Sequence, residues 1–234
     1  MENDNVFIGI DFSLASQEVI DLLIEDPEGP DIFNEIAQAN THRPEMLKLL
    51  LNHPSTPEDV KKYIGSVLNL PATVISDLVK AGKDQAVEKA EKARERRTET
   101  IAQKTQKLNV SQRIQLALRG GREIRGLLVK DPNKEVMLSV LDNQKITESE
   151  VEMVARSRSV PEEALRRIAK NREWMKNYAV LLALVTNPKT PPGVAVTLVT
   201  NVKTKDLVIL EKNRNVAEVV RSAAKKLLMW RKPR

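Results

Sequence analysis

The chain has 234 residues, of which 41% are hydrophobic, 30% charged and only 3% aromatic, and its formal net charge is +6. It contains no cysteine, which excludes disulfides, thiolate nucleophiles and cysteine-ligated metal sites. Neither a charged-then-apolar leader nor an apolar run of about 18 residues is present. We therefore expect no signal peptide, no membrane span, no membrane partner and a cytoplasmic location.

Charge is divided unevenly along the chain. Residues 1–40 contain ten acidic residues and no lysine or arginine, whereas the remainder carries 38 basic against 22 acidic residues, a net charge of +16. Two interpretations stay open. Either the acidic segment covers a basic body, or two solvated surfaces differ in sign without further meaning.

The acidic segment 1–40 predicts one or two helices. Apolar residues recur at helical spacing from about Ser16. The run from Asp26 to Pro30 must interrupt this first helix, because its two prolines and one glycine deny helical geometry. A second predicted helix ends at Asn40.

Residues 41–79 predict a first block of helical repeats. Short apolar helices alternate there with proline-containing junctions, of which the clearest is His53-Pro54-Ser55-Thr56-Pro57. An asparagine or histidine closes each helix, and asparagine tolerates the left-handed backbone conformation common at helix C-termini. We expect the junction threonine to accept hydrogen bonds from the first amides of the next helix.

Residues 80–109 interrupt the alternation of short apolar helices and proline-containing junctions. The stretch is dense in lysine, arginine and glutamate, and neither proline nor glycine occurs between positions 83 and 107. We interpret it as a charged, solvated linker helix that joins two blocks of repeats. A partly disordered linker is the alternative.

Residues 110–234 predict a second repeat block that ends in a basic helix. Asn109 is expected to cap the first helix of the block, and Gly120-Gly121 to end it. Two stretches have the capping-box form, a serine or threonine followed three positions later by glutamate. They are Thr147 to Glu150 and Ser159 to Glu162.

Two further helices complete this block. A long apolar helix is predicted from Asn171 to Thr186, and the last helix from Asn213 to Trp230. The indole of Trp230 continues the apolar face of the last helix, so we expect it to seal the end of the array.

The junctions recur at a regular interval. Their marker residues follow one another after 12 to 16 positions, so a pair of short helices recurs every 26 to 30 residues; the markers are Asn143, Ser157, Asn171, Asn187, Asn201 and Asn213. Asn187-Pro188-Lys189-Thr190-Pro191 also repeats the His53 junction 134 positions later. The pattern predicts an all-α fold, a right-handed superhelical α-solenoid of short helix pairs.

This Asn-Pro-x-Thr-Pro junction, followed by short Leu/Val helices, resembles the leucine-rich repeat variant group and, more broadly, HEAT- and armadillo-type solenoids. The resemblance covers about residues 40–79 and 110–230. It implies a scaffold, an adaptor or a partner-binding surface. It assigns no functional residue, because the matched positions are caps and core residues.

We predict no catalytic, cofactor-binding or metal-binding residue. His42 and His53 both lie at helix junctions, and no histidine pair with metal-ligand spacing exists. Gly120-Gly121 lacks the lysine and hydroxyl residue of a phosphate loop. The neighbouring glutamates at 148 and 150, and at 162 and 163, occupy first helical turns, where capping explains them.

Basic residues are the better candidates for a functional site. The candidate partner-binding residues gather around the Gly120-Gly121 corner, across residues 156–176 and on the last helix: Arg119, Arg122, Arg125, Arg158, Arg166, Arg167, Lys170, Arg172, Lys176, Arg221 and Lys225. If stacked helices align these groups, they form a basic stripe suited to an acidic protein or to phosphates. The plain alternative is that short solvated helices carry lysine and arginine in any case.

The favoured function is a non-enzymatic interaction scaffold or adaptor whose basic surface binds an acidic protein segment, in trans or from its own residues 1–40. The alternative is a nucleic-acid-binding helical-repeat protein. Trp174 and Tyr178 would then stack on bases, but core packing is the favoured role of this pair, because Leu181 and Val185 continue the same helical face. A third interpretation, a DNA-glycosylase-like helical-repeat enzyme, fits the size and charge but lacks exposed aromatics and a placed carboxylate.

Overall fold

The computed structural model describes residues 10–71 and 100–231. In these two ranges the regular secondary structure is α-helical, and no strand is present beyond one isolated bridge between Pro27 and Gly120. The all-α prediction is confirmed, whereas the superhelical arrangement stays a prediction. None of the helices in these ranges combines the length and the apolar character that crossing a membrane requires.

The chain divides into two compact units, residues 1–145 and 146–234. The described helices of the first unit are α1 Gln17–Glu25, α2 Asp31–Ala39, α3 Pro44–Asn52, α4 Glu58–Val67, α5 100–106, α6 Val110–Arg119, α7 Arg122–Leu128 and α8 Lys134–Val140. The predicted linker helix over 80–109 falls mostly outside the described residues. Its last part contains α5, which belongs to the first unit.

The second unit holds the remaining described helices. They are α9 Glu148–Arg156, α10 Glu162–Lys170, α11 Arg172–Lys176, α12 Tyr178–Thr186, α13 Pro192–Val199, α14 Thr204–Lys212 and α15 Glu218–Arg231. Its core joins apolar residues of α12 to α15, among them Leu181, Val199, Leu207 and Val220.

Residues 10–40 are part of the core of the first unit. Phe12, Ile20 and Phe33 are buried, and α1 packs against α2, α3 and α6. Gln112 of α6 donates to the Ser16 hydroxyl at 2.9 Å. Because burial of these side chains stabilises the unit, the described part of the acidic segment is an integral layer of the fold.

The Gly120-Gly121 corner ends α6 as predicted, and it also contacts the turn that follows α1. The Gly121 N–H donates to the Asp26 carbonyl at 2.7 Å, and Asp26 Oδ2 accepts from the Ile124 N–H at 2.8 Å. A Cβ on Gly121 would lie 2.5 Å from Asp26 Oδ1, so this close approach requires glycine.

Buried asparagines join helix ends that are far apart in sequence. Asn143 is 2% exposed, and its Nδ2 donates to the carbonyls of Ala117 at 3.0 Å and Gly120 at 3.2 Å. In the second unit Asn187 makes the equivalent pair of bonds, to Ala155 at 2.7 Å and Ser157 at 2.9 Å. Carbonyls at helix C-termini lack intrahelical donors, so these side chains satisfy them.

The prediction of a left-handed backbone at the junction asparagines is confirmed at Asn69 and wrong at Asn187. Among the described non-glycine residues, only Asn69 has a positive φ, at 52°. Asn187 has φ of −79°, and its Oδ1 accepts from the Lys189 N–H at 2.9 Å. Asn187 therefore acts through its side-chain amide, which bonds on both sides of the junction, and not through a left-handed backbone.

The two Pro-x-Thr-Pro junctions have the same local structure. Thr56 and Thr190 are buried, and their hydroxyls donate at 2.6 Å to the carbonyls of Leu50 and Leu184 in the preceding helix. The predicted bond to the next helix is wrong. A proline follows each threonine and itself occupies the N-cap position, so the threonine lies one residue too early to reach the first amides.

Capping predictions hold at two sites and fail at a third. Asn109 caps α6 and Thr147 caps α9, each within a complete capping box. The capping box predicted at Ser159 is wrong, because the N-cap of α10 is Pro161, two residues later, and the helix begins at Glu162. Ser159 instead hydrogen-bonds Ser157, with 2.8 Å between the hydroxyl oxygens.

Two predicted helices have different bounds. The apolar helix from 171 to 186 is split into α11 and α12 at Asn177, whose Oδ1 accepts from the Ala179 N–H at 2.9 Å. The last helix begins at Glu218 instead of Asn213, since the Asn213 side chain accepts from the Asn215 N–H and forms a turn. In both cases an asparagine side chain competes with helical hydrogen bonding.

Candidate partner-binding surface

The three arginines around the Gly120-Gly121 corner belong to the first unit. Arg119 Nε donates to Glu28 Oε2 at 2.9 Å, and its Nη2 donates to Glu35 Oε2 at 2.7 Å. Its guanidinium carbon also lies 5.3 Å from the centre of the Phe12 ring. This arginine therefore holds the acidic segment onto α6.

The other two corner arginines differ in exposure. Arg125 is 5% exposed, and its Nη1 donates to the Gly120 carbonyl at 3.2 Å. Arg122, at the first position of α7, is exposed. Two of the three candidates at this corner are thus engaged inside the unit, and one faces solvent.

Lys104 of α5, which is not among the candidate residues predicted from the sequence, completes the contact with the acidic segment. Its Nζ lies 2.6 Å from Asp21 Oδ2 and 2.6 Å from Glu25 Oε1. Burial lowers the pKa of Lys104, but the hydrogen bonds to Asp21 and Glu25 outweigh burial and raise this pKa above its ordinary value of 10.5.

This raised pKa predicts a loss of stability at high pH. Charged Lys104 stabilises the folded unit fully below pH 10.5, and that contribution disappears as pH rises through the folded-state pKa. We expect the difference in unfolding free energy between wild type and Lys104→Met to be constant from pH 7 to 9.5 and smaller at pH 11. Urea unfolding at the three pH values measures it; an equal difference at pH 11 would contradict the ion-pair role.

The second unit carries the largest group of candidate cations, on and beside α10. Ala164, Leu165 and Ile168 of this helix are buried. Residues on the opposite side are exposed, and the basic ones among them are Arg166, Arg167 and Lys170. The 3.6-residue period of the helix therefore places three cations on one solvent face.

Arg158 precedes α10, and Arg172 follows it at the start of α11; both side chains are exposed. Among the described residues the structure gives no hydrogen bond or ion pair to the side chains of Arg158, Lys170 and Arg172. Arg166 pairs with Glu162 at 2.5 Å, and Lys176 with Glu173 at 2.6 Å. We name the exposed set Arg158, Arg166, Arg167, Lys170 and Arg172 the α10 surface.

The candidates on α15 form a separate group. Arg221 pairs with Glu218 on the same helix, and Lys225 is exposed. The main packing partners of α15 are α13 and α14, whereas those of α10 are α9, α11 and α12. Arg166, Arg167 and Lys170 of the α10 surface thus share one helix, whereas the α15 candidates lie on a helix with different main packing partners.

Of the aromatic side chains of this unit, Tyr178 packs against the apolar core as predicted, whereas Trp230 does not pack as predicted. The Tyr178 hydroxyl donates to Asp206 Oδ2 at 2.5 Å and accepts from the Lys203 N–H at 3.0 Å, which ties α12 to the start of α14. Trp174 is half-buried. Trp230 is 77% exposed, so the prediction that it seals the array is wrong.

The described residues offer little for metal chemistry. No group of three or more histidine, aspartate or glutamate side chains in ranges 10–71 and 100–231 is placed to hold a metal ion. The His53 ring stacks on Phe33, with ring centroids 6.3 Å apart. An open cleft of about 400 Å³ lies beside Lys104, and its lining includes the Asp21 side chain already paired with that lysine.

Comparison with known proteins adds no assignment: no family model, curated protein or solved structure matches this chain.

Proposed function

We propose that the chain is a non-enzymatic interaction scaffold whose α10 surface binds an acidic protein segment. The observation that carries this proposal is the set of exposed cations without an intramolecular partner among the described residues, Arg158, Lys170 and Arg172. From position 156 to 176 the sequence holds seven basic and three acidic residues. A carboxylate-bearing segment would supply the missing counter-charges, and arginine binds carboxylates bidentately.

The acidic segment that binds the α10 surface belongs to another protein chain and not to residues 10–40. Within residues 10–40, Asp21 and Glu25 contact Lys104, and Glu28 and Glu35 contact Arg119. These carboxylates are already paired inside the first unit, and withdrawing them would leave those cations without partners. A separate acidic chain meets no such cost.

A solenoid of short helix pairs would display such a surface, and we infer this arrangement from the recurring junction contacts. Asn143 reaches back 26 and 23 residues to its carbonyl partners, and Asn187 reaches back 32 and 30. Arg231 similarly donates to carbonyls 31 and 29 residues earlier. Equivalent bonds at a similar interval support a repeating two-helix unit of the leucine-rich-repeat-variant or HEAT-like kind.

An acidic peptide tests this proposal. Because exposed ion pairs contribute up to about 1 kcal/mol each, the variant R158E/K170E/R172E should bind a fluorescein-labelled 16-residue peptide of Glu, Asp and Ser at least about tenfold more weakly. Fluorescence anisotropy at 50 and 200 mM salt measures the affinity. The matched control is K189E/K205E/K212E, which makes the same charge change at exposed positions of the same unit and should bind within about threefold of wild type.

Three outcomes would count against the proposal. These are no binding at millimolar peptide, an equal loss in both variants, and tighter binding of a 20-nucleotide DNA or RNA than of the peptide. The last result, with an affinity that falls steeply with log salt, would favour the nucleic-acid alternative.

A further inference from the structure

Exposed apolar side chains gather on the last two helices of the second unit. Five of the eight exposed large hydrophobic residues in the described ranges lie there: Val208, Ile209, Val219, Met229 and Trp230. Scattered single exposures are ordinary, whereas exposed apolar residues that share one helix face can form an interaction surface. Trp230 is the largest of the five, and tryptophan is among the residues most enriched at binding hot spots.

Three residues of α15 form one stripe along this surface. Val219, Lys226 and Trp230 are separated by seven and four positions, which places them on the same side of the helix. The Lys226 Nζ lies 5.7 Å from the centre of the Trp230 ring. We name this stripe, with the adjacent exposed residues Lys225 and Met229, the tryptophan surface.

The end of α15 is held in place. Arg231 Nη1 donates to the Val202 carbonyl at 2.6 Å, and its Nη2 donates to the Thr200 carbonyl at 2.7 Å. A terminal turn without tertiary contacts frays, whereas this clamp fixes the turn that carries Trp230. A pre-ordered helical turn loses less conformational entropy when a partner binds to it.

The charges around the tryptophan surface indicate which kind of partner can bind there. Two of the three carboxylates of α14 and α15 are engaged, since Glu218 pairs with Arg221 and Asp206 accepts from Tyr178, which leaves Glu211 as the third. The exposed cations of α14, α15 and the turn between them have no carboxylate partner among the described residues; they include Lys205, Lys212, Arg214 and Lys225. A second copy of the chain would bring like charges together on this face.

A nucleic acid fits the same surface less well. Its bases could stack on Trp230, and its phosphates could meet Lys225 and Lys226. However, the aliphatic neighbours Val219 and Met229 contribute to neither interaction, and they do match apolar side chains of a protein. The occupant must therefore be both acidic and apolar.

We propose that the tryptophan surface binds an acidic amphipathic helix in trans. Its apolar residues, at helical spacing, would pack on Val219 and Trp230, and its flanking carboxylates would contact Lys225 and Lys226. The proposal is independent of the α10 surface, because it rests on other helices and requires apolar anchors that a purely acidic segment lacks.

The test uses three labelled 18-residue peptides and the full chain. The first carries leucine on one helical face and glutamate on its flanks; the second replaces leucine by serine, and the third replaces glutamate by lysine. We expect only the first to bind well, with each change weakening binding at least about tenfold, as loss of a hot-spot contact does. In a Trp174→Phe background, binding should shift the emission of Trp230 to shorter wavelength.

Variants locate the site. Trp230→Ser and K225E/K226E should each weaken binding of the first peptide at least about tenfold, whereas R158E/K170E/R172E should not change it. Trp230 is exposed, so its replacement leaves the core intact, and circular dichroism checks this. Unchanged affinity of Trp230→Ser, no binding at millimolar peptide, a dimer that Trp230→Ser abolishes, or stronger binding of a 20-nucleotide single strand would overturn the proposal.

Discussion

Replacement of Asn187 by aspartate is expected to destabilise the second unit by about 3 kcal/mol at pH 7. The substitution keeps the side-chain shape and the acceptor for the Lys189 N–H, but it removes the amide that donates to the carbonyls of Ala155 and Ser157. Two carbonyls then lose their donor, and a negative charge lies at the C-terminal end of α9, where the helix dipole disfavours it. Urea unfolding measures the change.

The same variant has a pH signature. Protonated aspartic acid has one O–H donor, so part of the deficit relative to wild type should disappear at pH 3. The matched control is Asn201→Asp, at an exposed junction with no described side-chain hydrogen bond, which should stay within about 0.5 kcal/mol of wild type. If Asn187→Asp were as stable as this control, water rather than the asparagine amide would satisfy the helix ends.

Replacement of Arg119 by methionine is expected to destabilise the first unit by about 3 kcal/mol. The Glu28 side chain is 5% exposed, and Arg119 is its ion-pair partner at 2.9 Å. Removing the guanidinium leaves a carboxylate in a poorly solvated position, and it also removes the contacts with Glu35 and the Phe12 ring. Chemical unfolding of the purified variant measures this loss.

A double-mutant cycle isolates the charge contribution. Adding Glu28→Gln to Arg119→Met removes the unpaired carboxylate, so the double variant should be more stable than Arg119→Met alone. Arg122→Met alters an exposed arginine in the same corner and should change stability by less than about 0.5 kcal/mol. Equal effects of Arg119→Met and Arg122→Met would show that the acidic segment does not depend on this ion pair.

The sequence was most informative where the interactions are local. The capping boxes at Asn109 and Thr147 and the helix stop at Gly120 each depend on groups within a few positions, and all three were predicted. The predictions that failed involve side chains that have an alternative hydrogen-bond partner close by in the sequence. Asn177 caps a new helix inside the single helix predicted from 171 to 186, and Thr56 donates to the preceding helix because Pro57 takes the N-cap position.

The candidate surface was predicted less completely. In the sequence, Arg119 and Arg158 both belong to groups of basic residues, and nothing distinguishes them. In the structure, Arg119 is paired with two glutamates, whereas Arg158 is exposed without a described partner. Trp230 continues an apolar helical face, yet it faces solvent. Helical periodicity places a residue on a face, but it does not say whether another helix covers that face.

The sequence by itself determined that the chain is helical and where most helices begin and end, because caps, prolines and apolar spacing act over a few residues. Only the tertiary structure decided which charges are neutralised within the fold. Lys104 meets carboxylates 83 and 79 positions away, and Arg119 meets carboxylates 91 and 84 positions away. Such pairs form because packing brings distant helices together, and no local pattern encodes them.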